Sequence, residues 1–179
     1  PFFDFDGDGI YDPANGDYPV IDANPDPSQC GGESFTYADQ MVFWVYNDVG
    51  NIHTETGGLE IGLQVNALAF AFQTSDEIND MTFYRYTLVN KSGNSLSQTY
   101  MGQWVDPDLG CFNDDFVGCD TSRDLGIVYN GDPNDDVNGC GSSIGYGETN
   151  IPILGIDYFE GPLDTSGRQL GMSSFVYYN

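Results

Sequence analysis

Between Gln40 and Asn90 the polar and hydrophobic residues fall into runs of strand length. Gln40 to Asn47 (QMVFWVYN) is rich in β-branched and aromatic residues and reads as a strand. Leu59 to Gln73 (LEIGLQVNALAFAFQ) partly alternates, which puts Leu63, Val65, Ala67, Ala69 and Ala71 on one face. Met81 to Asn90 (MTFYRYTLVN) alternates more cleanly: Met81, Phe83, Arg85, Thr87 and Val89 oppose Thr82, Tyr84, Tyr86 and Leu88. The turn Lys91-Ser92-Gly93-Asn94 leads into Ser97 to Val105, and this pair is expected to form a β-hairpin. After an acidic loop come Leu125 to Tyr129, a polar loop, Ile151 to Phe159, and a last expected strand from Ser173 to Asn179. Only Ser75 to Asp80 has the look of a helix start, one turn long.

Short strands spaced by turn-rich loops predict an all-β fold, an antiparallel β-sandwich or jelly-roll-like domain with long Asp/Gly-rich calcium-binding loops. Residues 1–34 are dense in Asp, Gly and Pro and read as a separate calcium-loop segment. Residues 35–179 are then the sandwich domain. Pro1 as a first residue and a final strand with no partner after it suggest a piece cut from a longer chain, truncated at its C-terminal end.

Charge changes this picture most. The chain carries 28 Asp and Glu against 4 Lys and Arg, a net charge of −24. Hydrophobic residues still make up 40%, enough for a core, so this is not an acidic disordered tail. Self-repulsion on folding is relieved if divalent cations bind, and Asp clustered in Gly- and Asn-rich loops is the placement that oxygen ligands of a hard cation take. Nucleic acid and anionic membrane surfaces would be repelled. No apolar run reaches the roughly 18 residues of a membrane span, so no membrane insertion is expected.

The four cysteines, Cys30, Cys111, Cys119 and Cys140, form no CxxC pair, and the single histidine is His53, which argues against zinc. An even count suggests disulfides and an oxidising compartment. Three pairings are open; the short spacing favours Cys111 with Cys119, leaving Cys30 with Cys140.

The sharpest motif is Asp4-Phe5-Asp6-Gly7-Asp8-Gly9-Ile10-Tyr11-Asp12. Carboxylates at alternate positions (Asp4, Asp6, Asp8), a Gly for the sharp turn, a backbone carbonyl at Ile10 and a further acid at Asp12 follow the grammar of EF-hand calcium loops. Asn15 stands where an EF-hand has its bidentate Glu, and Pro13 argues against a following helix. The loop resembles those of dockerins and thrombospondin type 3 repeats instead. A second pool is Asp106, Asp108, Asp114, Asp115 and Asp120, so two or more calcium ions are expected. The rival for that pool is a catalytic carboxylate pair of the glycosidase kind, but no acid there sits in an apolar setting that would raise its pKa. Asp132, Asn134, Asp135, Asp136 and Asn138 are a third cluster, read either as a further site or as a polar loop. No GxSxG, Walker or dinucleotide fingerprint occurs. His53, beside Thr54, Glu55 and Thr56, reads as an exposed turn. Trp44 and Trp104 fall in expected strands and are assigned to the core. The many tyrosines either line a recognition face or decorate the half-exposed side of a sheet.

The strings GDYPVIDANPD, FWVYNDVGNIHTETGG, MTFYRYTLVNKS, GQWVDPDLGCFNDDFVGCDTSRDLGIVYNGD and GIDYFEGP together resemble a family of large secreted proteins of Bacteroidota that end in a type IX secretion system sorting domain. The resemblance implies an extracellular or outer-membrane cell-surface location, further domains of the same chain as neighbours, and the type IX machinery as an export partner. It implies no activity. The reading that results is a non-catalytic, calcium-stabilised β scaffold of an adhesive, structural or filament-forming protein, with self-association or glycans as further partners. Its alternatives are a carbohydrate-binding or glycan-active module, and a cargo or partner of the secretion machinery.

Overall fold

The computed structural model describes residues 2–19, 38–135, 144–145 and 151–178. The chain divides into two compact units, Pro1–Thr99 and Tyr100–Asn179. Both are all-β, with antiparallel pairing throughout the described residues.

The first unit opens with a two-residue ladder between β1 (Phe2–Phe3) and β2 (Tyr18–Pro19). Its main sheet has the order β3-β4-β5, from β3 (Gln40–Asn47), β4 (Leu63–Ala71) and β5 (Thr82–Asn90). Among its described residues are two short 3-10 turns, Pro13–Asn15 and Glu77–Asp80, the second where one helical turn was expected. Because side chains alternate along a strand, the register sorts the sheet into two faces. One carries the rows Met41–Phe70–Phe83 and Phe43–Leu68–Arg85; the other carries Val42–Ala69–Tyr84, Trp44–Ala67–Tyr86 and Tyr46–Val65–Leu88. Phe70 stacks on Phe83 at 5.2 Å, and Phe72 meets both rings edge-on, so the Phe/Leu/Met face is the drier one. Ala67 and Leu68, at the middle of the central strand, are its buried hydrophobic residues.

The second unit holds the sheet β10-β7-β6, from β6 (Asp115–Asp120), β7 (Leu125–Asn130) and β10 (Ile153–Asp157), and a two-residue ladder of β8 (Asn134–Asp135) with β9 (Ile144–Gly145). Central β7 buries Gly126, Val128 and Asn130, whereas the edge strand β6 leaves Phe116 and Val117 exposed. Phe116 pairs across the ladder with Tyr129, ring against ring at 5.9 Å.

Several expectations need correction. Ser97 to Val105 forms no strand, so the hairpin with β5 is absent. The chain leaving β5 is captured elsewhere: Lys91 N–H donates to the Gly62 carbonyl (2.8 Å), and Asn90 Oδ1 accepts from Ser92 N–H and Oγ. Gln98, at φ 53, then breaks any extended run. Trp104 therefore lies outside a strand and is 72% exposed, and Trp44 is half-exposed on β3, so neither indole is core. Residues 173–178 are also not a strand, and Asn179 lies outside the described residues. In the other direction, β6 forms where an acidic loop was expected. The flanking acids of Asp115-Phe116-Val117-Gly118-Cys119-Asp120 masked a short edge strand whose β character lies in its middle. The favoured cysteine pairing fails: Cys119 is exposed with a free thiol on β6, while Cys111 is buried and disulfide-bonded. Its partner lies outside the described residues, as do Cys30 and Cys140.

Candidate metal centre

The first loop is built around Asp4. Its Oδ1 accepts from Gly7 N–H (2.6 Å) and Asp8 N–H (3.2 Å), and its Oδ2 from Gly9 N–H (2.7 Å). To curl the backbone around one carboxylate, the chain takes left-handed conformations at Gly7 and Gly9, φ 75 and 77, which only glycine adopts without strain. Asp6 Oδ1 accepts from Asp8 N–H (3.3 Å), and Asp8 Oδ1 from Ile10 N–H (2.7 Å). These bonds set successive side chains on the inside of the curl. One carboxylate oxygen from each of Asp4, Asp6 and Asp8 comes within 4.8 Å of the others. Oxygens about 2.4 Å from a shared cation lie at most about 4.8 Å apart, so this group of carboxylates could hold a metal ion.

The electrostatics agree with a crowded site. Asp4 is held below the ordinary carboxylate value, first by the Gly9 N–H bond and then by the Gly7 and Asp8 bonds, with desolvation opposing. Asp6 is pushed up, first by desolvation, with the neighbouring charges of Asp8, Asp17 and Asp4 adding to it. A bound cation would reverse the sign of that local field.

Of the other expected ligands of this loop, Asp12 sits outside the converging group. Asp12 caps the Pro13–Asn15 turn, accepting from Ala14 N–H (2.9 Å), and does not join the three-carboxylate group. Ile10 is exposed and contributes its N–H to Asp8. Asn15 comes back to the loop, its amide nitrogen 3.4 Å from Asp6 Oδ2. That brings the twelfth position of the motif to the site, though as an amide rather than a carboxylate.

Sequence reading missed Asp17. It is only 5% exposed, and it ties the loop shut: Oδ1 accepts from Phe5 N–H (2.9 Å) and Oδ2 from Asp12 N–H (2.8 Å). The β1–β2 ladder, with Phe3 and Tyr18 stacked at 5.0 Å, pinches the two chain ends just outside it. The available signal was an acid directly after the Asn15-Gly16 turn, where Gly16 at φ 103 reverses the chain.

Asp106, Asp108, Asp114, Asp115 and Asp120 are not gathered into one group among the described residues. Asp106 and Asp108 are exposed. Asp115 Oδ2 accepts from Leu109 N–H (2.9 Å), while its Oδ1 is shielded from solvent with no donor among the described residues. Asp114 reaches Asn130 (3.5 Å). Asp120 lies at the far end of β6, five residues from Asp115, about 17 Å along an extended strand. There it closes a turn, bonded to Ser122 and paired with Arg123 at 2.7 Å, and these contacts, the Ser122 hydroxyl foremost, hold its carboxyl low. In the third cluster Asp132 accepts from Asn134 N–H (2.8 Å), and Asp136 and Asn138 lie outside the described residues. His53 is tied into the β3–β4 connection, its Nε2 3.1 Å from the Asp48 carbonyl. Asp48 in turn accepts from Ile61 and Leu63 N–H groups, and the Ile61 bond is the main cause of its lowered pKa. No model of a known family, no curated protein and no solved structure matches this chain.

Proposed function

We propose that this chain is a non-catalytic, calcium-stiffened β scaffold of a secreted or cell-surface protein. The observation that carries the reading is the loop of Asp4, Asp6 and Asp8, whose carboxylate oxygens converge within 4.8 Å on a backbone already curled around Asp4. Convergence of like charges in a chain of net charge −24 is unfavourable without a cation and favourable with one. Bound calcium would lock the loop that joins β1 to β2, and a second ion beside Asp115 would satisfy its buried oxygen. Because binding favours the folded state over the unfolded one, folding would follow the calcium level, which is high outside cells. Location at a bacterial surface and export by the type IX route rest on the sequence resemblance alone. The antiparallel strand pairing within each unit supports a β scaffold.

The test is a calcium titration by calorimetry with paired thermal melts, with and without chelator. Stoichiometric binding with a raised melting temperature supports the scaffold. A melt that chelator leaves unchanged overturns it.

A further inference from the structure

Asparagine followed by glycine is the dipeptide most prone to deamidation, because a glycine nitrogen with no side chain beside it approaches the asparagine Cγ with little hindrance. The chain holds three such pairs, at 15–16, 130–131 and 138–139, the last outside the described residues. The fold treats the other two in opposite ways. Asn130 ends β7 in register with Asp115 and is 3% exposed; its Nδ2 is 3.5 Å from Asp114 Oδ2, and its Oδ1 accepts from Asp132 N–H (3.2 Å). Gly131 donates to the Asp114 carbonyl (3.3 Å) and lies so close under the Phe116 ring that not even a Cβ would fit there. Asn15 and Gly16 are both exposed instead. The bond from Asn15 Nδ2 to Asp6 Oδ2 is long, 3.4 Å, and Gly16 N–H donates at 3.3 Å to the Pro13 carbonyl, closing a single 3-10 turn.

Opening of that turn lets the Gly16 nitrogen reach Asn15 Cγ. The new N–Cγ bond closes a succinimide, and the Gly16 N–H proton leaves with the side-chain nitrogen as ammonia. Water then opens the ring, at Cγ to give aspartate or at the backbone carbonyl to give isoaspartate. Nothing is oxidised or reduced: one water is consumed, and a neutral amide becomes a carboxylate. We propose that Asn15 is a site of spontaneous deamidation, and that Asn130, in the same dipeptide, is protected by the fold. The position gives the modification a consequence. Asn15 is the twelfth residue of the loop motif, where an EF-hand carries its acid, and its amide donates to Asp6. A carboxylate in its place turns that hydrogen bond into a like-charge contact, which loosens the loop without a cation and strengthens its hold on one. The effect on the cation rests on the calcium reading; the modification itself does not. Asp17 restrains the reaction. Its buried Oδ2 fixes Asp12 N–H (2.8 Å), and the Asp12 carbonyl accepts from Asn15 N–H (3.1 Å), so the turn opens less readily while Asp17 is in place.

The test is a time course on the full chain at neutral pH, digested and mapped by mass spectrometry, beside the same chain unfolded in urea. In the folded chain the peptide carrying Asn15 should gain the mass of OH for NH2, as aspartate and isoaspartate forms, roughly tenfold or more faster than the peptide carrying Asn130. In urea the two should convert at similar rates. Asn15→Gln, whose ring would need six members, should abolish the gain at that position, and Asp17→Ala should speed the native reaction roughly threefold or more. Asn15 and Asn130 converting at one rate in the folded chain would overturn the proposal, because global unfolding would then set the reaction. So would an Asn15 peptide that stays unchanged in the folded chain after converting in urea. Asn15→Asp reads the consequence: it should melt below the native chain in chelator and bind calcium roughly tenfold more tightly. A mass gain at Asn15 with no calcium bound by either chain supports the modification and overturns the calcium reading; calcium binding with no mass gain does the reverse.

Discussion

Asp17→Ala should loosen the calcium loop without removing any of the three converging carboxylates. In the native chain, the buried Asp17 carboxylate receives the Phe5 and Asp12 N–H groups at 2.9 and 2.8 Å. Hydrogen bonds to a charged acceptor are each worth about 1.5–3 kcal/mol. Both bonds are only partly buried, so the lower figure applies, and the pair contributes about 3 kcal/mol to holding the loop closed. If that closure pre-organises Asp4, Asp6 and Asp8, its loss must be repaid out of the binding free energy. At about 1.4 kcal/mol per tenfold, calcium affinity should fall roughly a hundredfold. Asp17→Asn retains one acceptor oxygen and should fall roughly tenfold. Calorimetric titration gives the affinities, and hydrogen exchange at the Phe5 and Asp12 amides reads the loop without metal. Both amides should lose protection in Asp17→Ala while the β4 amides keep theirs. Asp17→Ala binding calcium within about twofold of the native chain would refute the argument that the loop is held open or shut by this residue.

Gly62→Ala should destabilise the first unit far more than Gly93→Ala, although both glycines have φ 74. A methyl at residue 62 would sit 2.8 Å from Ser92 Cβ and 3.0 Å from its Cα, whereas nothing lies within 4 Å at residue 93. Left-handed strain alone costs about 1–2 kcal/mol and the overlap about 1–3 kcal/mol more, so equal urea midpoints for the two variants would contradict the described β5 exit. Calcium affinity should fall as pH drops through the carboxylate range, because Asp6, pushed up first by desolvation, takes its proton at a higher pH than Asp4, which is held low by the Gly9 N–H bond, and the proton then competes with the ion. The apo-stability contributions run oppositely. Asp4 and Asp48, both lowered, stabilise above 3.8 and lose this as pH falls through their folded values; raised Asp6 stabilises below 3.8 and loses this as pH rises through its own. Replacement of Asp6 by Asn that leaves both the affinity and its pH dependence unchanged would exclude Asp6 as a ligand.

What was local in the chain was legible in its sequence. β3 covers the residues its composition marks, Gln40–Asn47, and the alternation of 81–90 correctly sorted Phe83 from Tyr84 and Tyr86, because side-chain direction in a strand follows from spacing alone. The Asp4-Asp6-Asp8 curl was legible for the same reason: its donors and acceptors lie within five residues of one another. Partner choice was not legible. β5 pairs with β4 and not with residues 97–105, since a turn signal does not record that Lys91 is already bonded back to Gly62. Asp12 and Asp17 show the same limit at the site. The motif ranks Asp12 as a ligand, yet its carboxylate caps a 3-10 turn, and Asp17, outside the motif, closes the loop. Likewise Asp115 and Asp120 are near in sequence, but an edge strand holds them apart, and only the tertiary register could place Trp44 across Ala67 from Tyr86. Sequence determines what a residue can do with its neighbours in the chain; which distant backbone takes up its free hydrogen bonds is settled by the fold as a whole.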